Sequence, residues 1–567
     1  MRKTTELTER PPAESEVCEA RTSNVNPERK LSSLSTAPSC SSLSTKPTDE
    51  KSLLSKQRII SDASLSTVDG AQANEEEAGQ GSGEITTEVV APEHLSCYSS
   101  AFWLKVVRFI GPGFFIAMAY IDPGNLSADV NQGVSAGYSL SWVTFWALVM
   151  GFVVQMLAAK LGLVSGKHMA QLCRTQYPIF SRLVLWAAVE LGVIATDMIE
   201  VIGGAVALNT ISSGAIPLWA GVLITAAGAF AVLALERYGM RLLEAILMVL
   251  IATMSVTFGY MFFSTGVDYA ATLKGIAVPQ VNANTITLAV GAIGALIMPH
   301  NVYLQSALVL NRADETVAAF PLETLRYVRI ETGLAIILSF FINLFIIAVS
   351  ANAFFGSSSS SSGFDPASIG LGNVGQAFGA LYGKHIMYIW GVGLLAAAFA
   401  STVTSTYAGQ VVTTGFLNID LNVWWRTIAV RLITLGPTMA IAALLRSESD
   451  MTGLTEVLNT VQSLVLPLVF VALVTLTSSK KVMGVYANRL WSVIALWVML
   501  AFLLGMNGYL AISFGLTVVP SVAWARALFG LVCAAYGLFF VYLFAGPRRV
   551  HVLCTNWVDR LFKGAHS

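Results

Sequence analysis

The tetrapeptide DPGN at residues 122–125 interrupts an apolar segment at residues 105–130, and the tetrapeptide MPHN at residues 298–301 interrupts another at residues 286–310. Each segment is long enough to cross a bilayer as a helix. Proline removes a backbone donor and clashes with the preceding helical turn, so each tetrapeptide frees carbonyl groups at membrane depth. Because such groups are tolerated only where the backbone lines a cavity or is buried in protein, the two breaks predict a polar site inside a membrane bundle.

The composition is typical of a membrane protein. Of the 567 residues, 55% are hydrophobic and 12% are charged, whereas a soluble domain carries about 25% charged residues. The net charge is zero, but residues 1–100 hold 10 Lys/Arg and 16 Asp/Glu. These first 100 residues are therefore acidic, and the rest of the chain is basic. No basic stripe stands out, which argues against nucleic-acid binding. The six cysteines form no CxxC pair, which argues against a disulfide framework or a structural zinc site.

Twelve apolar segments alternate with polar loops after residue 103, and each is about as long as the roughly 20 residues that cross the hydrocarbon core as a helix. The fold class predicted is therefore an all-α polytopic membrane protein with about twelve transmembrane helices. We number the segments spans 1 to 12; they lie near residues 105–130, 140–163, 183–208, 217–235, 241–264, 286–310, 331–354, 385–416, 427–445, 453–477, 490–511 and 523–545.

The two breaks fall in spans 1 and 6, so the first ten spans divide into five plus five. A unit with an odd number of spans, inserted twice in succession, takes opposite orientations, which is the inverted-repeat layout of secondary transporters. Proline kinks are common in membrane helices, and a single kink would favour that simpler explanation. Two kinks at matching positions, each beside polar side chains, favour a binding site near the midplane.

Charge placement predicts the domain boundaries and the orientation. Residues 1–100 lack a sustained apolar run and should form a disordered tail, residues 101–546 the transmembrane bundle, and residues 547–567 a short C-terminal tail. Lys and Arg, Arg426 among them, concentrate in the loops on one side, which places both termini in the cytoplasm. The motif DEKSLL at residues 49–54 resembles an acidic dileucine signal for a sorting adaptor, although two leucines in a floppy tail are the simpler explanation. The host membrane, plasma membrane or endosomal, lysosomal or vacuolar, stays open.

The side chains at the breaks suggest a metal ion as the ligand. Asp122 offers a carboxylate, Asn125 offers an amide oxygen, and unwinding exposes carbonyl groups around Ala119 and Ala295. Hard oxygen ligands suit many divalent ions, but the thioether of Met298 binds softer transition metals, unless it only fills the core. The mixed set favours Mn²⁺ or Fe²⁺, with Co²⁺, Zn²⁺ or Cd²⁺ as alternatives.

Span 3 carries three acidic residues, Glu190, Asp197 and Glu200, spaced seven and then three residues apart. This spacing places them near one face of a helix. Intramembrane carboxylates are costly and usually mark an ion pathway. A static network of salt bridges that holds helices together is the alternative.

Together with the stretch STVTSTYAGQ at residues 401–410, the DPGN and MPHN motifs resemble the signatures of the Nramp family of proton-coupled divalent metal transporters. The resemblance extends from about residue 111 to residue 467, and the plan of spans extends it to the end of the chain. It implies a LeuT-like fold with unwound helices 1 and 6. It also implies symport of metal and protons into the cytosol by alternating access, with no cofactor besides the transported metal ion and the proton.

By motif, the resemblance implies six metal-binding positions: the side chains of Asp122 and Asn125, the carbonyls of Ala119 and Ala295, the sulfur of Met298, and an amide of span 10. Gln462 is the choice for that amide, and Asn459, three residues earlier on the same face, is the other candidate.

The resemblance also implies a proton route. Its members are Glu190, Asp197, Glu200 and Arg431, and His300 is linked to gating and proton coupling. Independently of the resemblance, we expect Asp122 to join this route and exchange a proton for the metal ion, because a bound dication favours the ionised carboxylate. Many family members have a second histidine where this chain has Gln305. Because glutamine does not titrate near neutral pH, a contribution of that histidine to pH dependence does not carry over to this chain.

The function predicted is that of a secondary transporter that imports Mn²⁺ or Fe²⁺ with protons. An amino-acid or other organic-solute carrier on the same fold is an alternative, but a substrate carboxylate prefers a helix N-terminus without a neighbouring charge such as Asp122. A membrane receptor that has lost transport is a second alternative. Such a protein should lack the metal-ligand residues or carry a large cytoplasmic effector domain, whereas the metal-ligand residues are present here. An enzyme is not expected, because no nucleophile–base pair or phosphate loop emerges.

Overall fold

Most of the predicted bundle is covered by the computed structural model. The predicted tails, the start of span 1 and most of span 9 lie outside the described residues. The structure describes residues 118–234, 240–282, 285–311, 321–356, 365, 368–418, 425–426, 428–429, 433, 436–440, 448–517 and 522–545.

Long helices dominate the described part of the chain, which contains no strand. Nine helical segments there are long and apolar enough to cross a membrane, and span 4 adds a shorter apolar helix. This confirms the prediction of an all-α, multi-pass membrane protein. The uninterrupted helices are Ser141–Ser165 (span 2), Ile179–Ile211 (span 3), Leu218–Ala234 (span 4), Met240–Ser264 (span 5), Pro321–Phe354 (span 7), Lys384–Leu417 (span 8), Glu448–Ser478 (span 10), Leu490–Thr517 (span 11) and Ala523–Ala545 (span 12).

Short helices fill several of the connections. They are Met169–Gln176 between spans 2 and 3, Tyr269–Ala277 between spans 5 and 6, Val374–Tyr382 before span 8, and Lys480–Met483 with the 3₁₀ turn Gly484–Tyr486 after span 10.

Spans 1 and 6 are interrupted where the sequence predicts. Span 1 passes through a 3₁₀ turn, Met118–Tyr120, and resumes as the helix Pro123–Ala136. Span 6 consists of Ile286–Leu296 followed by Pro299–Asn311. In both spans the second helix starts at a proline, because the first position of a helix needs no backbone N–H and suits the fixed φ of proline.

The contacts between spans repeat with a shift of five. The second half of span 1 packs on span 7, and the second half of span 6 packs on span 2. Span 3 packs on span 10, and the equivalent span 8 packs on span 5. Span 3 also packs on span 8, and span 2 on span 7, so each of these pairs joins two equivalent spans. This is the pattern expected of two five-span repeats in opposite orientations, and it confirms the five-plus-five architecture.

Burial differs strongly from span to span. The apolar window of span 3 is 83% buried in protein, whereas that of span 12 is 6% buried. Span 12 therefore lies at the periphery of the described bundle, and span 3 lies in its centre. Charged groups on span 3 consequently have to find their partners inside the protein.

Candidate metal and proton sites

Asp122 caps the helix that restarts after the break in span 1. Its Oδ2 accepts a hydrogen bond from the backbone N–H of Gly124 (3.1 Å), and its Oδ1 accepts one from the N–H of Asn125 (3.0 Å). The side chain is fully buried. The N-terminal N–H groups of a helix and its dipole stabilise a negative charge, so a carboxylate has a fixed and favourable position here.

Spans 3 and 7 hold the break from two sides. Gly203 of span 3 lies against Pro123, and the methyl group of an alanine there would overlap the proline ring. On the other side Asn343 of span 7 donates from Nδ2 to the carbonyl of Tyr120 (2.9 Å). A carbonyl freed by the unwinding is thus satisfied by a buried amide, a contact that the sequence analysis missed. Ala119 lies in the same 3₁₀ turn, Met118–Tyr120.

Span 10 brings both of its candidate amides into the bundle. Asn459 donates from Nδ2 to the carbonyl of Gly124 (3.2 Å), and its Oδ1 has no hydrogen-bond partner among the described residues. Gln462 accepts from the hydroxyl of Thr196 on span 3 (3.0 Å), and its Nε2 is likewise without a partner among those residues. Asn459 therefore touches the break itself, while Gln462 faces span 3, and the choice of Gln462 as the metal ligand stays a prediction.

The break in span 6 is equally enclosed. Ala295, Met298 and His300 are all at most 3% exposed, and His300 Nδ1 has no hydrogen-bond partner among the described residues. Gly294 lies so close to Ser463 of span 10 that an added methyl group would overlap that side chain. The small residue thus lets span 10 approach the point where span 6 unwinds.

Glu200 is held by hydroxyl groups of the stretch at residues 401–410. Ser401 donates to its Oε1 (2.6 Å) and Ser405 to its Oε2 (2.9 Å). Both serines are buried on span 8, one helical turn apart. The stretch at residues 401–410 therefore supplies the hydrogen-bond donors of Glu200. Asp197 lies buried one turn before Glu200 on the same helix.

Glu190 forms an ion pair with Arg426, which stands at the start of span 9. Arg426 Nη2 lies 2.7 Å from Glu190 Oε1, its Nε donates to the hydroxyl of Thr413 (3.0 Å), and Thr413 in turn donates to Glu190 Oε2 (3.1 Å). The guanidinium group sits against Gly409, where any side chain would overlap it. The sequence analysis counts Arg426 only among the loop charges of one face; the structure shows in addition that its side chain is 6% exposed and paired with Glu190. Arg431, the predicted basic partner, lies outside the described residues.

Metal donors of a conventional structural site do not cluster in the described residues. There, no group of three or more His, Cys, Asp or Glu side chains is placed to hold a metal ion. The breaks instead offer one carboxylate, amides, carbonyls and a thioether.

Residues 113–513 match the family model described as natural resistance-associated macrophage protein-like, Nramp. The chain belongs to the Nramp family. Among its relatives are the metal transporter Nramp3.2 of Populus trichocarpa, 43% identical over 78% of this chain and 87% of that protein, and the metal transporter Nramp2 of Oryza sativa subsp. japonica, 44% identical over 78% of this chain and 84% of that protein.

A solved structure supports the Nramp assignment at the level of the fold. The crystal structure of the Eremococcus coleocola manganese transporter, in complex with an aromatic bis-isothiourea substituted compound, aligns with a TM-score of 0.71 at 26% identity. The alignment covers 80% of this chain and 97% of that one. The Nramp resemblance drawn from the three motifs is confirmed.

Proposed function

We propose that the protein imports divalent transition-metal ions, foremost Mn²⁺ or Fe²⁺, into the cytosol together with protons. The observation that carries the proposal is the Asp122 carboxylate, fixed at the break of span 1 by two backbone N–H groups and enclosed by spans 3 and 10. The names of the relatives support transport of metal, since two are metal transporters and one solved neighbour is a manganese transporter.

The donor set favours a transition metal over Mg²⁺ or Ca²⁺. Asp122 and Asn125 supply hard oxygen atoms, which all of these ions accept. Met298 adds a sulfur atom that contributes little to a hard ion and more to a softer one. We therefore place selectivity at Met298 and charge recognition at Asp122.

Protons and metal would compete for the same carboxylate oxygen atoms of Asp122. When the metal ion binds, a proton has to leave, and the acidic groups of span 3 provide the next acceptors. Glu200 would be one of these acceptors, and Ser401 and Ser405 hold both of its oxygen atoms in place. The ion pair of Glu190 with Arg426 would then continue the route toward the cytoplasm.

The orientation and the membrane belong to the same proposal. We propose that both termini are cytoplasmic, since Lys and Arg concentrate in the loops on one side of the bundle. The host membrane would be the plasma membrane or an endosomal, lysosomal or vacuolar membrane. A sorting adaptor that bound the dileucine motif of the N-terminal tail would favour an endosomal or lysosomal membrane.

An organic-solute carrier fits the site less well. A substrate carboxylate would need the free N–H groups at the start of a broken helix. The carboxylate of Asp122 already takes those of Gly124 and Asn125. The metal proposal instead uses Asp122 as the ligand.

Uptake into proteoliposomes tests the proposal. With the outside more acidic than the lumen, the parent protein should accumulate Mn²⁺ faster than without a pH gradient, and Asp122→Ala should show no uptake above empty liposomes. Uptake of Mn²⁺ by Asp122→Ala at the parent rate would exclude the site. Uptake that ignores the gradient would exclude the proton coupling.

A further inference from the structure

The second half of span 1 contains a buried carboxylate outside all three motifs. Asp129 lies in the helix Pro123–Ala136 and is 1% exposed. Intramembrane carboxylates are costly, so a position for one needs a physical reason.

Asp129 continues the line of polar side chains that begins at the break. Asp122, Asn125, Asp129 and Gln132 follow one another at spacings of three, four and three residues, which places them on one face of the helix. At about 1.5 Å per residue, Asp129 lies roughly 10 Å and Gln132 roughly 15 Å along the axis from Asp122. The line runs away from the break toward the end of the helix at Ala136.

The contacts of Asp129 leave one of its oxygen atoms unsatisfied. Gln132 Nε2 lies 3.5 Å from Asp129 Oδ1, and Gln132 Oε1 accepts from the hydroxyl of Thr144 on span 2 (3.4 Å). Asp129 Oδ2 has no hydrogen-bond partner among the described residues. Gln132 and Thr144 are each 1% exposed, so bulk water does not compensate.

A structural role explains this arrangement poorly. Where a carboxylate of this bundle is paired across helices, as Glu190 is with Arg426 and Thr413, both of its oxygen atoms have partners. A buried carboxylate oxygen without a donor is unfavourable unless a cation or a proton joins it. Asp129 therefore has an open place for a cation or a proton, on the same helix face as Asp122 and Asn125.

We propose that Asp129, with Gln132 and Thr144, forms a staging site for the divalent cation on the outer side of the break. The inference rests on the proposed function. The amide of Gln132 can turn so that its oxygen faces the ion and its Nε2 donates to the Thr144 hydroxyl. Because all donors are oxygen atoms, this site selects for charge, and the ion then passes to Asp122, where Met298 contributes to the choice of metal.

Concentration-dependent Mn²⁺ uptake into proteoliposomes tests the inference. Asp129→Asn should raise the KM for Mn²⁺ about tenfold, the change expected for the loss of one charge-assisted contact, with a smaller change in kcat. Ser127→Ala, a buried change on the same helix but off this face, should leave the KM at the parent value. Placing the charge one turn away, as Asp129→Asn combined with Gln132→Glu, should restore most of the lost affinity.

The outcomes separate this inference from the proposal beneath it. If the parent protein takes up no Mn²⁺, the proposed function fails. If the parent transports and Asp129→Asn keeps the parent KM, the staging site is wrong. A change confined to the pH dependence, with the KM for Mn²⁺ unaltered, would also overturn it, since Asp129 would then carry protons only. If Asp129→Asn alone is poorly folded, the double variant with Gln132→Glu decides, because a KM for Mn²⁺ about tenfold above the parent value in that variant would contradict the charge requirement.

Discussion

Arg426 reaches from the start of span 9 to Glu190 of span 3, with 2.7 Å between its Nη2 and the carboxylate Oε1. Thr413 of span 8 bonds to both partners, so three spans meet in one network. The pair is mostly enclosed by protein, and neither partner can be removed without leaving a charge in an apolar environment.

We therefore expect Arg426→Ala to lower the free energy of unfolding by about 3 kcal/mol. Removing one partner of a buried ion pair costs about 3–5 kcal/mol, and the lower value applies here because Glu190 is 15% exposed. Adding Glu190→Gln should recover part of this loss, since the uncompensated charge is then gone. Unfolding of the purified protein in detergent measures both effects. Equal stability of Arg426→Ala and the parent would show that the pair contributes nothing to the fold.

Gly291 and Gly294 of span 6 provide a matched pair of substitutions that test how closely spans 6 and 10 pack. Gly294→Ala places a methyl group into Ser463 and should destabilise the protein by about 1–3 kcal/mol. Gly291→Ala, on the same helix, meets open space and should be neutral or stabilising by up to about 1 kcal/mol. The same denaturation experiment compares them, and equal effects of the two substitutions would refute the close approach of spans 6 and 10.

Substitution of Ser401 and Ser405 on span 8 should slow the flux of protons more than the flux of Mn²⁺. A hydrogen bond to a carboxylate contributes about 1.5–3 kcal/mol. The double change of Ser401 and Ser405 to alanine removes both such bonds from Glu200, so it should slow proton flux more than Mn²⁺ flux. Thr402→Val is the control, because the Thr402 hydroxyl donates to its own helix backbone at Ala398. The two fluxes are measured in parallel with a pH-sensitive dye and a Mn²⁺ indicator. An equal decrease of both fluxes would exclude a specific part in proton movement.

Selectivity should follow the sulfur atom of Met298. Met298→Ala should improve transport of Ca²⁺ or Mg²⁺ relative to Mn²⁺, on the order of tenfold if the sulfur contributes about 1.4 kcal/mol. Met298→Leu, which keeps the volume but lacks sulfur, should change the preference in the same direction. Competition assays with the parent protein measure the ratio. An unchanged preference in both variants would contradict the sulfur argument.

The architecture could be predicted from sequence because its decisive features are local. Pro123 and Pro299 lie inside apolar segments, and backbone chemistry alone requires a break at each. The repeat followed from the positions of these two breaks along the chain. The confirmed family resemblance rests on the same residues.

The partners of the charged groups were harder to predict, since they depend on which helices face one another. Ser401 lies 201 residues from Glu200 in sequence, and nothing local connects them. Arg426 stands beside a loop, where basic residues usually mark the cytoplasmic face, so its burial was not foreseen. The helical spacing of Asp129 from Asn125 was a usable signal, but it lies in a polar run that resembles the end of a span.

Direct location of Mn²⁺ tests the central claim, that the metal binds at the break of span 1. Crystals of the protein grown with Mn²⁺ should give an anomalous difference peak within about 2.5 Å of the Asp122 carboxylate, and the peak should be absent from Asp122→Ala. A peak elsewhere in the bundle, or one that persists at the break in Asp122→Ala, would contradict the account.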